Sequence, residues 1–229
     1  MNYELLDLYS DYLISSFSQT SATGLSRLVD ETISHDQVSR FLSSDSFGSK
    51  ELWPLVKGHV RQAETDDGLI IIDDTIEEKP YTDENEIVCW HYDHSKERNV
   101  KGINFLTALY HTDTANLPVC YDIVDKTEPY TDKKTGKTRR KSALTKNQRY
   151  RQMLLTCQKN GIRYRYVLND TWYASAENMM FIKHDLNKDF IMPLKENRKI
   201  SLSLSDKQQG IYVKLSSLDL EDGTLRRRT

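Results

Sequence analysis

Residues 68–75 read Gly68-Leu69-Ile70-Ile71-Ile72-Asp73-Asp74-Thr75, an apolar run that opens at the turn Asp66-Asp67-Gly68 and closes on carboxylates. Such a short, β-branched run bounded by a turn fits a buried strand. A second run has the same form: Arg163-Tyr164-Arg165-Tyr166-Val167-Leu168-Asn169-Asp170, followed by Thr171-Trp172-Tyr173. If the two strands lie side by side and parallel, Asp74 and Asp170 emerge at one sheet edge. Hard carboxylate oxygens placed there can hold a divalent metal for phosphodiester chemistry. No other pair of acids in the chain has equivalent placement. Asp73 is the rival of Asp74, and strand alternation points it to the opposite face.

Working outward, residues 1–62 read as helical. Leu5, Leu6, Leu8, Tyr9, Tyr12 and Leu13 recur at helical spacing, and a second segment runs over 24–29. Ser34 with Gln37 three residues on is a capping-box start, and Val38, Phe41 and Leu42 then form one apolar face. That leaves His35, Gln37 and Arg40 outward. Two short helices joined in this way fit a DNA-binding helix-turn-helix; a plain helical bundle fits the same pattern.

From residue 66 the texture changes. An extended stretch at 87–94 leads to strands over 100–110 and 117–124. A helix over 145–160 follows, capped by Thr145 and Gln148 and stopped by Asn160-Gly161. Strand 163–169, a helix over 174–185 and strand 189–194 complete the order strand, strand, strand, helix, strand, helix, strand. That order predicts an α/β, ribonuclease-H-like mixed sheet in which the first and fourth strands are neighbours. The expected domains are therefore a helical DNA-binding unit (1–62), the first part of a catalytic core (63–195), and the start of a β-rich insertion (196–229). In that last part a strand is expected over 210–215 and a hairpin turn at Glu221-Asp222-Gly223-Thr224.

Composition narrows the classes. Lys and Arg number 32 against 34 Asp and Glu, so any nucleic-acid affinity must come from local segregation of charge. Such segregation exists at Lys126, Lys133, Lys134, Lys137, Arg139, Arg140, Lys141, Lys146, Arg149 and Arg151, against only Glu128 and Asp132. Gly136 and the threonines make the first part of this stretch read as a mobile loop. Three scattered cysteines without a Cys-x-x-Cys pair argue against a zinc cluster or disulfide framework and for a cytoplasmic setting. His91, Asp93 and His94 alternate across a strand, with His94 on the other face, and read as a polar strand end. The apolar runs are too short to span a bilayer.

Several blocks in order resemble the DDE transposases of bacterial insertion sequences whose ribonuclease-H-like core carries a β insertion. They are Ile72-Asp73-Asp74-Thr75-Ile76-Glu77-Glu78-Lys79-Pro80, then Trp90-His91-Tyr92-Asp93-His94-Ser95 with Val100-Lys101-Gly102-Ile103-Asn104, then Asn169-Asp170-Thr171-Trp172-Tyr173-Ala174-Ser175. The stretch from Ile33 to Leu42 is similar to the N-terminal region of these proteins. The resemblance implies Asp74, in the Asp-Thr step, and Asp170 as catalytic metal ligands. It implies Mg²⁺ or Mn²⁺ as cofactor, with two ions roughly 4 Å apart. It also implies double-stranded transposon-end and target DNA as partners, and a homodimer in a synaptic complex. Lys79, Arg139, Arg140 and Lys141 would meet phosphate. The family's third acid, a Glu on a later helix in a Tyr–Arg–Glu pattern, has no counterpart after Asp170, where Glu177, Glu196 and Glu221 stand in other contexts. The expectation is a truncated transposase that binds DNA without cutting it, or a DNA-binding remnant.

Overall fold

The computed structural model describes residues 2–17, 20–44, 47–133, 135–219 and 226–227. The chain divides into two compact units, 1–51 and 52–229. In the first, α1 (Tyr3–Ser15), α2 (Ala22–Leu28) and α3 (His35–Ser44) close around Tyr12, Leu25 and Val38. Each helix start is satisfied locally. Asn2 caps α1, Ser21 caps α2, and the Ser34–Gln37 box forms in both directions, with N···O distances of 3.2 and 2.8 Å. The α2–α3 connection turns through Asp30 and Glu31, both in the left-handed region (φ 51° and 58°). His35, Gln37 and Arg40 are exposed, as the apolar stripe requires. Leu42 departs from expectation: it is 40% exposed, while Val38 and Phe41 carry the buried face alone.

The helices run to Ala63, in keeping with the helical reading of 1–62, but they do not all belong to one unit. Helix α4 (Ser49–Ala63) places Val60, with Trp53 and Val56, in the core of the second unit. Its apolar stripe thus belongs with the sheet, and the division falls after Glu51.

The second unit is a mixed sheet with helices. Its strands are β1 (Leu69–Glu78), β2 (Cys89–Asp93), β3 (Arg98–Thr112), β4 (Ala115–Ile123), β7 (Tyr166–Asn169) and β8 (Asp189–Ile191), in the order β2-β3-β1-β7-β8. The far edge of β3 is shared, with β2 against 98–102 and β4 against 105–112. β1 is antiparallel to β3 and parallel to β7, and β8 is parallel to β7. β1 runs four residues beyond Asp74, because β3 continues to pair with it as far as Glu78.

The segment read as a mobile loop is instead partly a hairpin, β5 (Glu128–Thr131) with β6 (Thr138–Lys141). Opposite charges oppose across it: Lys141 pairs with Glu128 at 3.3 Å and Arg139 with Asp132 at 3.2 Å. Helix α5 (Lys146–Lys159) opens on the expected Thr145–Gln148 capping box. The helix expected over 174–185 is α6 (Ala176–Met180) continued by a π turn, Phe181–Asp185. Past residue 195 the structure is slight. β9 (Lys199–Ile200) pairs with β10 (Val213–Lys214), α7 (Leu204–Gln208) lies between them, and β11 (Leu218–Asp219) pairs with β12 (Arg226–Arg227). The strand expected over 210–215 shrinks to two residues, and the turn expected at 221–224 lies outside the described residues. Among the described residues no helix is long and apolar enough to cross a membrane.

One sheet face is packed. Ile70, Ile72, Leu106, Ala108, Tyr110 and Val167 meet Tyr150, Met153 and Leu154 of α5 and Ile182 of the π turn. On the other face Ile71, Phe105, Leu109 and Leu168 are only half-buried, and Ile191 on the edge strand is 57% exposed.

The β1–β3 contact generates a prediction. A Cβ at Gly102 would stand 2.2 Å from the Glu77 carbonyl oxygen, whereas one at Gly58 in α4 meets open space. Gly102→Ala should therefore destabilise by at least about 1–3 kcal/mol through backbone displacement. Gly58→Ala should stabilise by about 0.5–1 kcal/mol through helix propensity. Urea unfolding midpoints check both signs.

Candidate active site

The parallel register sets Ile72 level with Asn169, the last residue of β7, and Asp73 and Asp170 each follow one residue further along their chains. Alternation decides which face each acid serves. Ile70 and Ile72 are fully buried toward α5, and Asp74 follows them on that face, opposite the buried Leu106 of β3. Asp73 follows Ile71 on the opposite face, across from Thr107. The two adjacent acids therefore have different surroundings.

Asp74 is firmly held. Its Oδ2 accepts from Lys146 Nζ at 2.6 Å and from Asn104 Nδ2 at 2.9 Å, and its Oδ1 accepts from the Tyr173 hydroxyl at 3.0 Å. Tyr173 is buried and stacks on Tyr150 of α5 with ring centroids 5.0 Å apart. Burial alone would raise the Asp74 carboxyl. Hydrogen bonds from Lys146 and Asn104, the Lys146 charge and the Tyr173 hydroxyl outweigh it and hold the group below the usual carboxylate range. Asp73 moves the other way. Burial pushes its carboxyl up, and the charges of Asp170 and Asp74 add to that, against a lowering hydrogen bond from the Asp74 backbone N–H and the more distant charge of Lys146.

Asp170 lies one residue past β7 and accepts from the backbone N–H groups of Trp172 (3.0 Å) and Tyr173 (3.4 Å). It shapes the turn that feeds α6 and also opens on the same cleft as Asp73 and Asp74, a space of about 440 Å³. Lys96, Lys146 and Lys195 line that cleft as well.

The other sequence-derived candidates divide. Lys79 pairs with Glu77 at 3.1 Å and is not among the cleft residues. Arg139 and Arg140 line a separate cleft of about 490 Å³, between the hairpin and β2. Lys141 is exposed on the hairpin, and Lys134 lies outside the described residues. Arg149 is no surface phosphate ligand. It is 6% exposed and committed to Asp122, Asp125, Ser142 and the Ile123 carbonyl. Arg151 is tied to Asn178 and Glu177. Glu177 thereby faces a different hollow, Glu196 is not in the carboxylate cleft, and Glu221 lies outside the described residues. His91 is buried on Cys89, with Nε2 and Sγ 3.2 Å apart, and burial with the nearby lysine charges lowers it to about 4. It stands apart from His94, which stacks between Tyr92 and Trp172.

Sequence reading missed Lys146, Asn104 and Tyr173 as partners of Asp74. Lys146 had one signal, its place as the first residue after a capping box. Its meeting with Asp74, 72 positions away, follows from the crossover alone.

The opposite perturbations of neighbouring acids make a sharp test. Asp74→Asn should lower stability at pH 7 by about 1–3 kcal/mol, since hydrogen bonds to a charged group are lost. Because the Asp74 carboxyl is depressed in the folded state, its contribution is present above the ordinary carboxylate pKa and is lost as pH falls below about 3.8. The deficit of the variant should shrink over that window. Asp73→Asn should raise stability at pH 7, because the carboxylate it removes is penalised in the folded state. Urea unfolding at pH 7 and pH 3 checks the two signs.

The chain matches the family described as DDE superfamily endonuclease over residues 4–207. Among solved structures it is similar to a Mos1 transposase paired-end complex with the left transposon end, at 13% identity over 83% of this chain and 58% of that chain, with a TM-score of 0.28. A pre-cleavage Mos1 transpososome gives 10% identity, 83% and 59% coverage and a TM-score of 0.28. A Mos1 mariner paired-end complex with Mn gives 11% identity, 83% and 58% coverage and a TM-score of 0.30. The chain thus spans less than two thirds of the length of these proteins. No curated protein sequence matches it. The match over 4–207 covers most of the chain, and the chain belongs to the DDE superfamily endonucleases.

Proposed function

We propose that the chain is the DNA-binding and metal-binding part of a transposase, acting at transposon ends as two copies in a synaptic complex. The observation that supports this reading is the parallel pairing of β1 with β7 up to Ile72 and Asn169, one residue before Asp73 and Asp170, which line one cleft. Burial and then the Asp170 charge disfavour the ionised form of Asp73, and a cation between the two carboxylates would relieve that cost. The donors are oxygens, which suit Mg²⁺ or Mn²⁺ rather than zinc. In this reading Asp73 and Asp170 hold the ion. Asp74, expected as a metal ligand, is the carboxylate that Lys146 already neutralises. The ion would supply Lewis-acid stabilisation of a phosphodiester under attack. Lys195 would hold phosphate, and the exposed His35, Gln37 and Arg40 of α3 would meet bases.

Among the described residues no three acids, histidines or cysteines are gathered to hold a metal. Two carboxylates with several retained waters are a normal Mg²⁺ site, but incomplete coordination loses most transition-state stabilisation. In this reading the chain binds DNA without cutting it.

The purified 229-residue chain should be melted with and without Mn²⁺ and mixed with duplex DNA. Mn²⁺ at a hundredfold excess over its Kd should raise the melting temperature by about 5–10 °C. Asp73→Asn and Asp170→Asn should each abolish the rise, and Asp74→Asn should leave some of it. Duplex binding should weaken steeply with salt, with no nicking. A rise that survives Asp73→Asn and vanishes only with Asp74→Asn would restore Asp74 as the ligand. Absence of any metal response would remove the metal reading, and nicking abolished by Asp170→Asn would overturn the inactive one.

A further inference from the structure

The carboxylate cleft and the hairpin cleft are joined by aromatic rings. Tyr92 lines both. From Tyr92 the run passes to His94 (centroids 4.8 Å apart, edge-on) and from His94 to Trp172 (4.8 Å, tilted), beside Asp170. In the other direction lies Trp90, on the same face of β2 as Tyr92, with Tyr130 of β5 also lining that cleft. The opposite face of β2 carries the buried Cys89 and His91, so burial there fixes the outward direction of the rings. Trp90, Tyr92 and Trp172 remain 53%, 49% and 44% exposed. Large rings left this open are not part of the core.

Cations flank the run at both ends, Lys126, Lys137, Arg139 and Arg140 at one and Lys195 at the other, where Lys146 is held by Asp74 and Lys96 by Glu78. The acids opposing Arg139 and Arg140 are weak competitors. Arg139 is 54% exposed in its pair with Asp132, and the pair of Arg140 with Glu86 spans 3.8 Å. Exposed pairs of this kind contribute little and can be exchanged for phosphate.

We propose that this run is a track for the unpaired end of a DNA strand, with bases against Trp90, Tyr92 and Trp172 and phosphates on the basic hairpin and Lys195. The inference rests on the DNA reading above and adds to it the form of the DNA. Stacking needs a free base face, which a paired and stacked duplex does not offer. Spacing agrees: successive same-face residues of a strand are about 6.6 Å apart, against 3.4 Å between bases in each strand of a duplex. Only an unstacked strand can place one base on each ring. The track also leads unpaired DNA to Asp73 and Asp170.

The test is fluorescence anisotropy in EDTA, using a labelled duplex with a short single-stranded overhang and a blunt duplex of the same paired length. The full chain should bind the overhang about tenfold more tightly. Trp90→Ala should remove most of that difference, and Trp90→Phe should keep it. Tyr81→Ala, at a fully exposed residue outside both clefts, should change neither affinity. Equal binding of the two DNAs, or an equal loss on both with Trp90→Ala, overturns the track while leaving the DNA reading in place. Failure to bind either DNA overturns both.

Discussion

The parallel pairing of β1 with β7 is the constraint on which the site depends. Parallel neighbours require a crossover, and here β2, β3, β4, the hairpin and α5 intervene between the two strands. The crossover brings α5 onto the face of Ile70 and Ile72, and the first residue of α5, Lys146, arrives at the end of that face. A slip of one residue in the β1–β7 register would offset Asp73 against Asp170 and bring a residue of opposite facing there. The buried side chains of Ile70, Ile72 and Val167 oppose such a slip.

The same geometry separates the electrostatics of two adjacent acids. Asp74 lies on the packed face, where burial would be costly without its three donors, and Lys146 answers its charge. Asp73 lies on the open face with Asp170 and has no comparable set of donors. One carboxylate is held by the protein's own cation, and the other is left in a like-charged setting that a metal would relieve. Site and fold are thus joined, since the helix that covers the core also supplies the lysine that occupies Asp74.

Much of this was legible in the residues. The isoleucine run, the turn before it and the capping boxes at Ser34 and Thr145 each depend on local chemistry, and each reads correctly from sequence. The existence of two carboxylate-ended strands was legible as well. The different surroundings of Asp73 and Asp74 were not. Asp73 and Asp74 differ only in parity, and parity acquires meaning when a neighbouring strand sets the register. The 126–151 stretch was read by its charge, so Arg149 looked like its neighbours. Its burial follows from Asp122 and Asp125, far enough away in sequence to be invisible to a local pattern. The hairpin at 128–141 was hidden because cross-strand charge pairing, with little apolar alternation, holds it together. Leu42 was assigned to the core by helical spacing, yet Val38 and Phe41 were sufficient to close so small a helical unit.

On the proposed function, Asp73 and Asp170 face one metal position across the β1–β7 pair. Anomalous diffraction from crystals soaked in Mn²⁺ tests it most directly. The account predicts a peak in the 440 Å³ cleft, about 2.1 Å from a carboxylate oxygen of each of these two residues, with Lys146 still on Asp74. A peak coordinated by Asp74 with Lys146 displaced, or none in the cleft at saturating Mn²⁺, would contradict it.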